Sequence, residues 1–161
     1  SAQARALKEG VKDEGALETM RAAVQFLSNQ EYTKDRAMGC IGWCFGGRKS
    51  LQLAIAEPRI RACVVYYGTA VTEVESLRQI RGSVLGIFGE ADQAIPMAEV
   101  NDLRKGLEEA GIRNEFHTYP GAGHAFANPS NAPGYKSEAA ADARVWTSKF
   151  LYANLGSGIV E

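Results

Sequence analysis

A chain of 161 residues, 45% hydrophobic and 23% charged, has the composition of a globular protein with room for one real core. Its formal net charge of −1 gives no electrostatic footprint for nucleic acid or for an anionic membrane surface. No apolar run is long enough to span a bilayer, and the polar N-terminus is unlike a signal peptide. The three cysteines (Cys40, Cys44 and Cys63) form no disulfide framework, so a reducing compartment, the cytoplasm, is expected. With two histidines beside them they are too few and too scattered for a structural zinc site.

Residues 1–11 are polar and Ala-rich and read as a mobile or weakly helical lead-in. Ala16, Leu17, Met20, Ala23, Val24 and Leu27 recur at helical spacing, which predicts an amphipathic helix over about 12–28. Residues 36–41 read as a short buried strand and 44–56 as a helix stopped by Glu57-Pro58. A second strand is predicted over 62–67, a short helix or loop over 72–80, and a third strand over 83–88. Pro96 opens a helix that runs to Ala110, with Gly111 as its stop. A fourth strand is predicted over 114–119, a long helix over 136–155, and a frayed tail over 156–161. The pattern is a single α/β domain: a mainly parallel sheet of about four strands, joined by right-handed helical crossovers. Such a sheet gathers the C-terminal ends of its strands on one edge, where α/β proteins bind ligands.

The first of those ends carries Gly42-Trp43-Cys44-Phe45-Gly46-Gly47 after a small apolar run. This is the nucleophile-elbow pattern with cysteine in the serine position. A nucleophile at the tip of a sharp strand-to-helix turn has neighbouring chain packed close, which predicts that Gly42 and Gly46 are there because a Cβ would clash. The following helix points its N–H groups at the thiol, and that of Phe45 is placed as an oxyanion donor. The competing reading is a tight turn with a buried cysteine. A phosphate-binding loop is excluded because Gly47 is followed by Arg48, not by Lys-Ser or Lys-Thr. A redox pair of Cys40 and Cys44 would need Cys40 to leave a buried strand.

Asp92 follows the third strand in Gly89-Glu90-Ala91-Asp92, and His124 follows the fourth in Gly121-Ala122-Gly123-His124. Nucleophile, acid, histidine is the chain order of α/β-hydrolases. Cys44 attacks as thiolate, His124 moves the proton and Asp92 orients the imidazole. Taken alone, Asp92 could be a helix N-cap or a turn residue, and Glu90 is its rival for the acid. His117 lies inside a strand, which leaves His124 as the histidine in a Gly-rich loop at the right edge.

Ile41–Gly47, Gly86–Asp92, Tyr119–Phe126 and the later Gly134-Tyr135 together resemble the dienelactone hydrolase family, over residues 12–155. The resemblance implies a shortened α/β-hydrolase fold and a metal- and cofactor-free hydrolase of small esters or lactones. Carried over, Cys44, His124 and Asp92 form the triad, Phe45 gives one oxyanion N–H, and Trp43, Tyr67 and Phe126 line the pocket. For these three aromatics the alternative is plain core packing. The family places several strands and a helix ahead of the segment matched here by residues 12–28. With them go an early acidic residue near the cysteine, basic groups for a substrate carboxylate and the second oxyanion N–H, whose loss costs about 10²–10³ in rate. Asn128 stands where a further arginine would be sought. The alternative expectation is therefore a weak or inactive hydrolase-like binding or assembly module. The nucleophile strand is left with an open edge, so either two chains associate through that side as a homodimer or the sequence is a piece of a longer protein.

Overall fold

A computed structural model describes residues 10, 13–68 and 73–156. The predicted lead-in over 1–11 and the tail over 156–161 lie almost wholly outside these residues. The chain divides into two compact units, Ser1–Arg36 and Ala37–Glu161. In the first, α1 (Asp13–Ser28) is the predicted amphipathic helix. Its end is closed by the Ser28 hydroxyl, which donates to the Val24 carbonyl at 2.8 Å.

The second unit holds β1 (Met38–Trp43), α2 (Phe45–Ala56), β2 (Ile60–Tyr66), α3 (Val74–Leu77), β3 (Ser83–Gly89), α4 (Met97–Glu109), β4 (Asn114–Tyr119) and α5 (Ser137–Leu155). The four strands pair in parallel in the order β1-β2-β3-β4, so position in the sheet follows position in the chain. Right-handed crossovers between sequential strands put the connecting helices on one face. The Cys40 thiol, which donates to the Ser50 carbonyl of α2 at 3.3 Å, belongs to that face. Helix α5 covers the other face, where Tyr66 shares a 2.8 Å hydrogen bond with Thr147. Ala62, Val64, Leu85, Ile87 and Phe150 fill that layer.

β3 is buried along its whole length, as expected for a strand flanked on both edges and covered on both faces. β1 departs from the expected buried strand. It occupies the sheet edge and alternates, with Gly39, Ile41 and Trp43 exposed. It also starts two residues later than predicted and continues through Trp43, because pairing with β2 as far as Trp43↔Tyr66 carries it past the apolar run. Cys40 is only half-buried for the same reason. α3 is a single turn within the stretch predicted as helix or loop. Pro96 caps α4 with extended backbone, and Gly111, at φ 73°, ends its turn.

Candidate active site

The turn from β1 into α2 places Cys44 at φ 54° and ψ −118°, outside the ordinary regions for a residue with a side chain. Backbone bonds hold it there. The Cys44 N–H donates to the Tyr66 carbonyl at 2.9 Å, and the Cys44 carbonyl accepts from the N–H groups of Gly47 (3.0 Å) and Arg48 (3.3 Å). Gly42 makes the close approach: a Cβ there would lie 2.0 Å from the Gly46 carbonyl oxygen. Gly46 itself departs from expectation, since a Cβ at that position meets nothing within 4 Å. Gly47 carries the second constraint, with a Cβ 2.8 Å from the Tyr66 carbonyl oxygen. Phe45 is the first residue of α2, so its N–H lies in the helix's opening turn, beside the thiol.

Asp92 and Glu90 separate clearly. Asp92 Oδ2 lies 2.8 Å from His124 Nδ1, and its other oxygen accepts from the N–H groups of Ala94 (2.8 Å) and Ile95 (3.0 Å). The carboxylate is 4% exposed and thus both turn residue and histidine partner, the two readings the sequence offered as alternatives. Glu90 is exposed and accepts from the Thr118 hydroxyl at 2.8 Å, away from His124. A carboxylate only accepts, so Nδ1 of His124 is the donor and Nε2 is left to accept. Nε2 sits 3.1 Å from Cys44 Sγ. The path Asp92–His124–Cys44 is therefore continuous, across 80 residues of sequence between His124 and Cys44. The His124 loop is fixed by the Asn131 amide, which donates to the His124 carbonyl at 3.3 Å, and by the Lys136 N–H on the Phe126 carbonyl at 2.9 Å.

Sγ faces a cavity of about 360 Å³, lined among others by Trp43, Tyr66, Tyr67, Asn128 and Arg144. That volume suits a small organic molecule. Trp43 and Tyr67 line it and Phe126 does not. Phe126 is fully buried, packed edge-on against Tyr67 at 5.6 Å and tilted on Tyr119 at 5.1 Å, so it supports the wall from behind. Arg144 is the residue that sequence reasoning missed. Its signal was helical spacing: it stands four residues after buried Ala140 and one after buried Ala143 on α5. Cys44, Tyr67 and Ala125, the three residues other than glycine with positive φ among the described residues, all line this cavity. Backbone strain is thus concentrated on one rim.

The other histidine and cysteines belong elsewhere. His117 bonds Glu115 at 2.6 Å and stacks on Trp146 at 4.2 Å. Contact with the Cys40 sulfur, then burial, holds the Cys63 thiol well above the usual range. Cys40 thus has Ser50 and Cys63 as its partners, while Cys44 is engaged with His124. Among the described residues no group of three or more His, Cys, Asp or Glu could hold a metal, and no helix is long and apolar enough to cross a membrane.

Burial, then the neighbouring Tyr66 and Cys44, pushes the Tyr67 hydroxyl from 10.0 to about 12. An unfolded tyrosine ionises near pH 10, whereas this one stays neutral until about 12, so the unfolded state binds fewer protons between those values. Stability is therefore complete below pH 10 and falls as pH rises to 12, by roughly 2–3 kcal/mol from this group. Burial raises the Tyr66 hydroxyl in the same direction. Denaturant titrations across this window should show a shallower fall for Tyr67→Phe than for the wild type; equal slopes would remove Tyr67 as a cause.

A parallel sheet with a strained cysteine elbow and a histidine–aspartate pair on the same edge defines the α/β-hydrolase class. The dienelactone hydrolase family model matches residues 2–154, and the chain belongs to that family. It is 32% identical over 141 residues to a protein of Methylorubrum extorquens, covering 82% of this chain and 48% of that one. It is 30% identical over 148 residues to one of Synechocystis sp., covering 86% and 59%. Both bear the name "Putative carboxymethylenebutenolidase". The crystal structure of a dienelactone hydrolase from Anabaena variabilis shares the fold, with a TM-score of 0.64 at 20% identity over 83% of this chain and 57% of that one. The chain spans about half the length of the curated relatives it matches.

Proposed function

We propose that this chain carries the reaction centre of a hydrolase of small esters or lactones, with Cys44 as nucleophile. The observation that carries the reading is the continuous bond path from Asp92 through His124 to a thiol at the mouth of a cavity. His124 Nε2 takes the thiol proton, and the thiolate attacks the carbonyl carbon. The Phe45 N–H faces the developing oxyanion from the start of α2. The imidazolium, stabilised by Asp92, then gives its proton to the departing alkoxide, which in a lactone stays attached to the acyl group. Water, deprotonated by the same histidine, cleaves the thioester and restores the thiol. Lysis of p-nitrophenyl acetate tests this. Sustained turnover with transient acetylation of Cys44 is expected, and one acetylation per chain without turnover would favour the binding-module reading.

Arg144 adds a preference. It is the one cation among the cavity-lining residues, and it makes no ion pair among the described residues. A substrate bearing a carboxylate beyond the scissile carbonyl would meet it. Arg144→Ala should raise KM for such an anionic ester about 10- to 100-fold, the worth of a charge-assisted hydrogen bond. Kinetics on a neutral ester of the same size should be unchanged, and an equal rise on both esters would instead mean that the pocket wall had moved.

A further inference from the structure

The opposite edge of the sheet carries a second concavity, of about 530 Å³. It lies where the starts of β2 and β3, the turn after α3, the turn before β4 and the end of α5 meet. Four of its lining residues are arginines (Arg61, Arg78, Arg81 and Arg113), and no aspartate or glutamate lines it among the described residues. In a chain with 18 Lys and Arg against 19 Asp and Glu, this is a local excess of one sign rather than a reflection of composition.

The arginines are poorly compensated. Arg78 reaches Glu75 at 3.2 Å, but that carboxylate is 88% exposed. Arg61, Arg81 and Arg113 form no ion pair among the described residues. The nearest acids in sequence on α4 are engaged within their own helix, Glu108 with Arg104 and Glu109 with Lys105, each at 3.9 Å. Cations near helix C-termini are favourable, which accounts in part for Arg78 and Arg113 after α3 and α4. It does not account for Arg61, which stands on β2. Gathering such side chains around one concavity costs Coulomb repulsion that an anion would relieve.

We infer that this cleft binds a small, multiply charged phosphate compound of the pyrophosphate or tripolyphosphate kind. Guanidinium forks match phosphate oxygens in pairs, and several around one cavity favour a ligand with more than one phosphate. Ser83 and Asn154 add neutral polar groups to the lining. Among the described residues no aromatic ring lines the cleft to give the stacking platform that a nucleobase or single-stranded nucleic acid would use.

Titration calorimetry with tripolyphosphate at low ionic strength tests the assignment. Saturable one-to-one binding is expected, with orthophosphate weaker by about ten-fold or more. The double variant Arg81→Ala/Arg113→Ala should lose at least about ten-fold in affinity, and Arg104→Ala, which removes a cation outside the cleft, should lose nothing. Arg61→Gln, a single exposed change, repeats the measurement should the double variant unfold. Absence of saturable binding, binding that survives these substitutions, or an equal loss from Arg104→Ala would overturn the inference. Tighter binding of a single-stranded oligonucleotide than of tripolyphosphate would overturn it too.

Discussion

Cys44→Ala is expected to bring ester turnover down to the uncatalysed background, a loss on the order of 10⁴- to 10⁶-fold. The size follows from the proposed mechanism, in which the three groups act together. Without sulfur, His124 has no thiol to deprotonate, and the acyl group has no covalent resting place. Asp92→Asn should cost nearly as much, on the order of 10⁴-fold, while leaving the Cys44 thiol present to be titrated. The reason is the tautomer. An asparagine in the place of Oδ2 can offer its NH₂ to Nδ1, which would move the ring proton to Nε2 and aim a donor at Sγ. The two turn N–H groups of Ala94 and Ile95 would still find an acceptor in the amide oxygen, so the fold should hold. Steady-state kinetics on p-nitrophenyl acetate, with circular dichroism to confirm folding, would settle both. Cys44→Ala retaining a tenth of the wild-type rate would remove the cysteine from the reaction.

Gly42→Ala should have the largest effect on stability. The added Cβ would sit 2.0 Å from the Gly46 oxygen and 2.7 Å from the Gly47 nitrogen, and both are main-chain atoms. They cannot retreat cheaply, because the first turn of α2 is tied to the Cys44 carbonyl and β1 is in register with β2 at Gly42↔Val65. Overpacking typically costs about 1–3 kcal/mol when side chains can yield, and here backbone must yield. A loss of about 3 kcal/mol would lower the melting temperature by roughly 6–12 °C. Turnover should fall by about 10² or more besides, since the shift displaces Cys44 relative to His124. Gly46→Ala is the contrast. Its Cβ meets open space, and alanine favours a helix over glycine by about 1 kcal/mol, so this variant should be neutral or slightly more stable. Thermal unfolding of the pair would distinguish steric need from mere tolerance at the elbow.

The parts of the molecule that sequence made legible are those set by local rules. Strand–helix alternation, the start at Pro96 and the stops at Pro58 and Gly111 located the elements to within a few residues. The elbow and the two later loops could be placed on one edge because parallel strands leave no other arrangement. What stayed hidden depended on partners distant in the chain. The end of β1 is decided by its ladder with β2, so the apolar run alone misplaced it. Asp92 could be assigned two roles but not both at once, since only the fold shows that its two oxygens divide the work. Phe126 was expected on the pocket wall and Arg144 went unnoticed for a similar reason. Ala125, at φ 58°, turns the chain between His124 and Phe126, and no periodicity predicts where a side chain points after such a turn. Arg144 lies on a regular helix, yet which flank of the buried stripe meets the cavity follows from how α5 lies across the sheet.

The coincidence of sheet order with chain order has a consequence for biogenesis. Each strand joins the edge left by the one made just before it, so no pairing in this unit waits for a strand inserted between two others. Each pairing then closes a single crossover and no longer loop, and the sheet can grow as the chain leaves the ribosome. Cys44 is then in place before His124, which arrives only after β4 has been made. On the proposed mechanism the thiol would gain its base last, so reactivity would appear only once the growing polypeptide had assembled its framework.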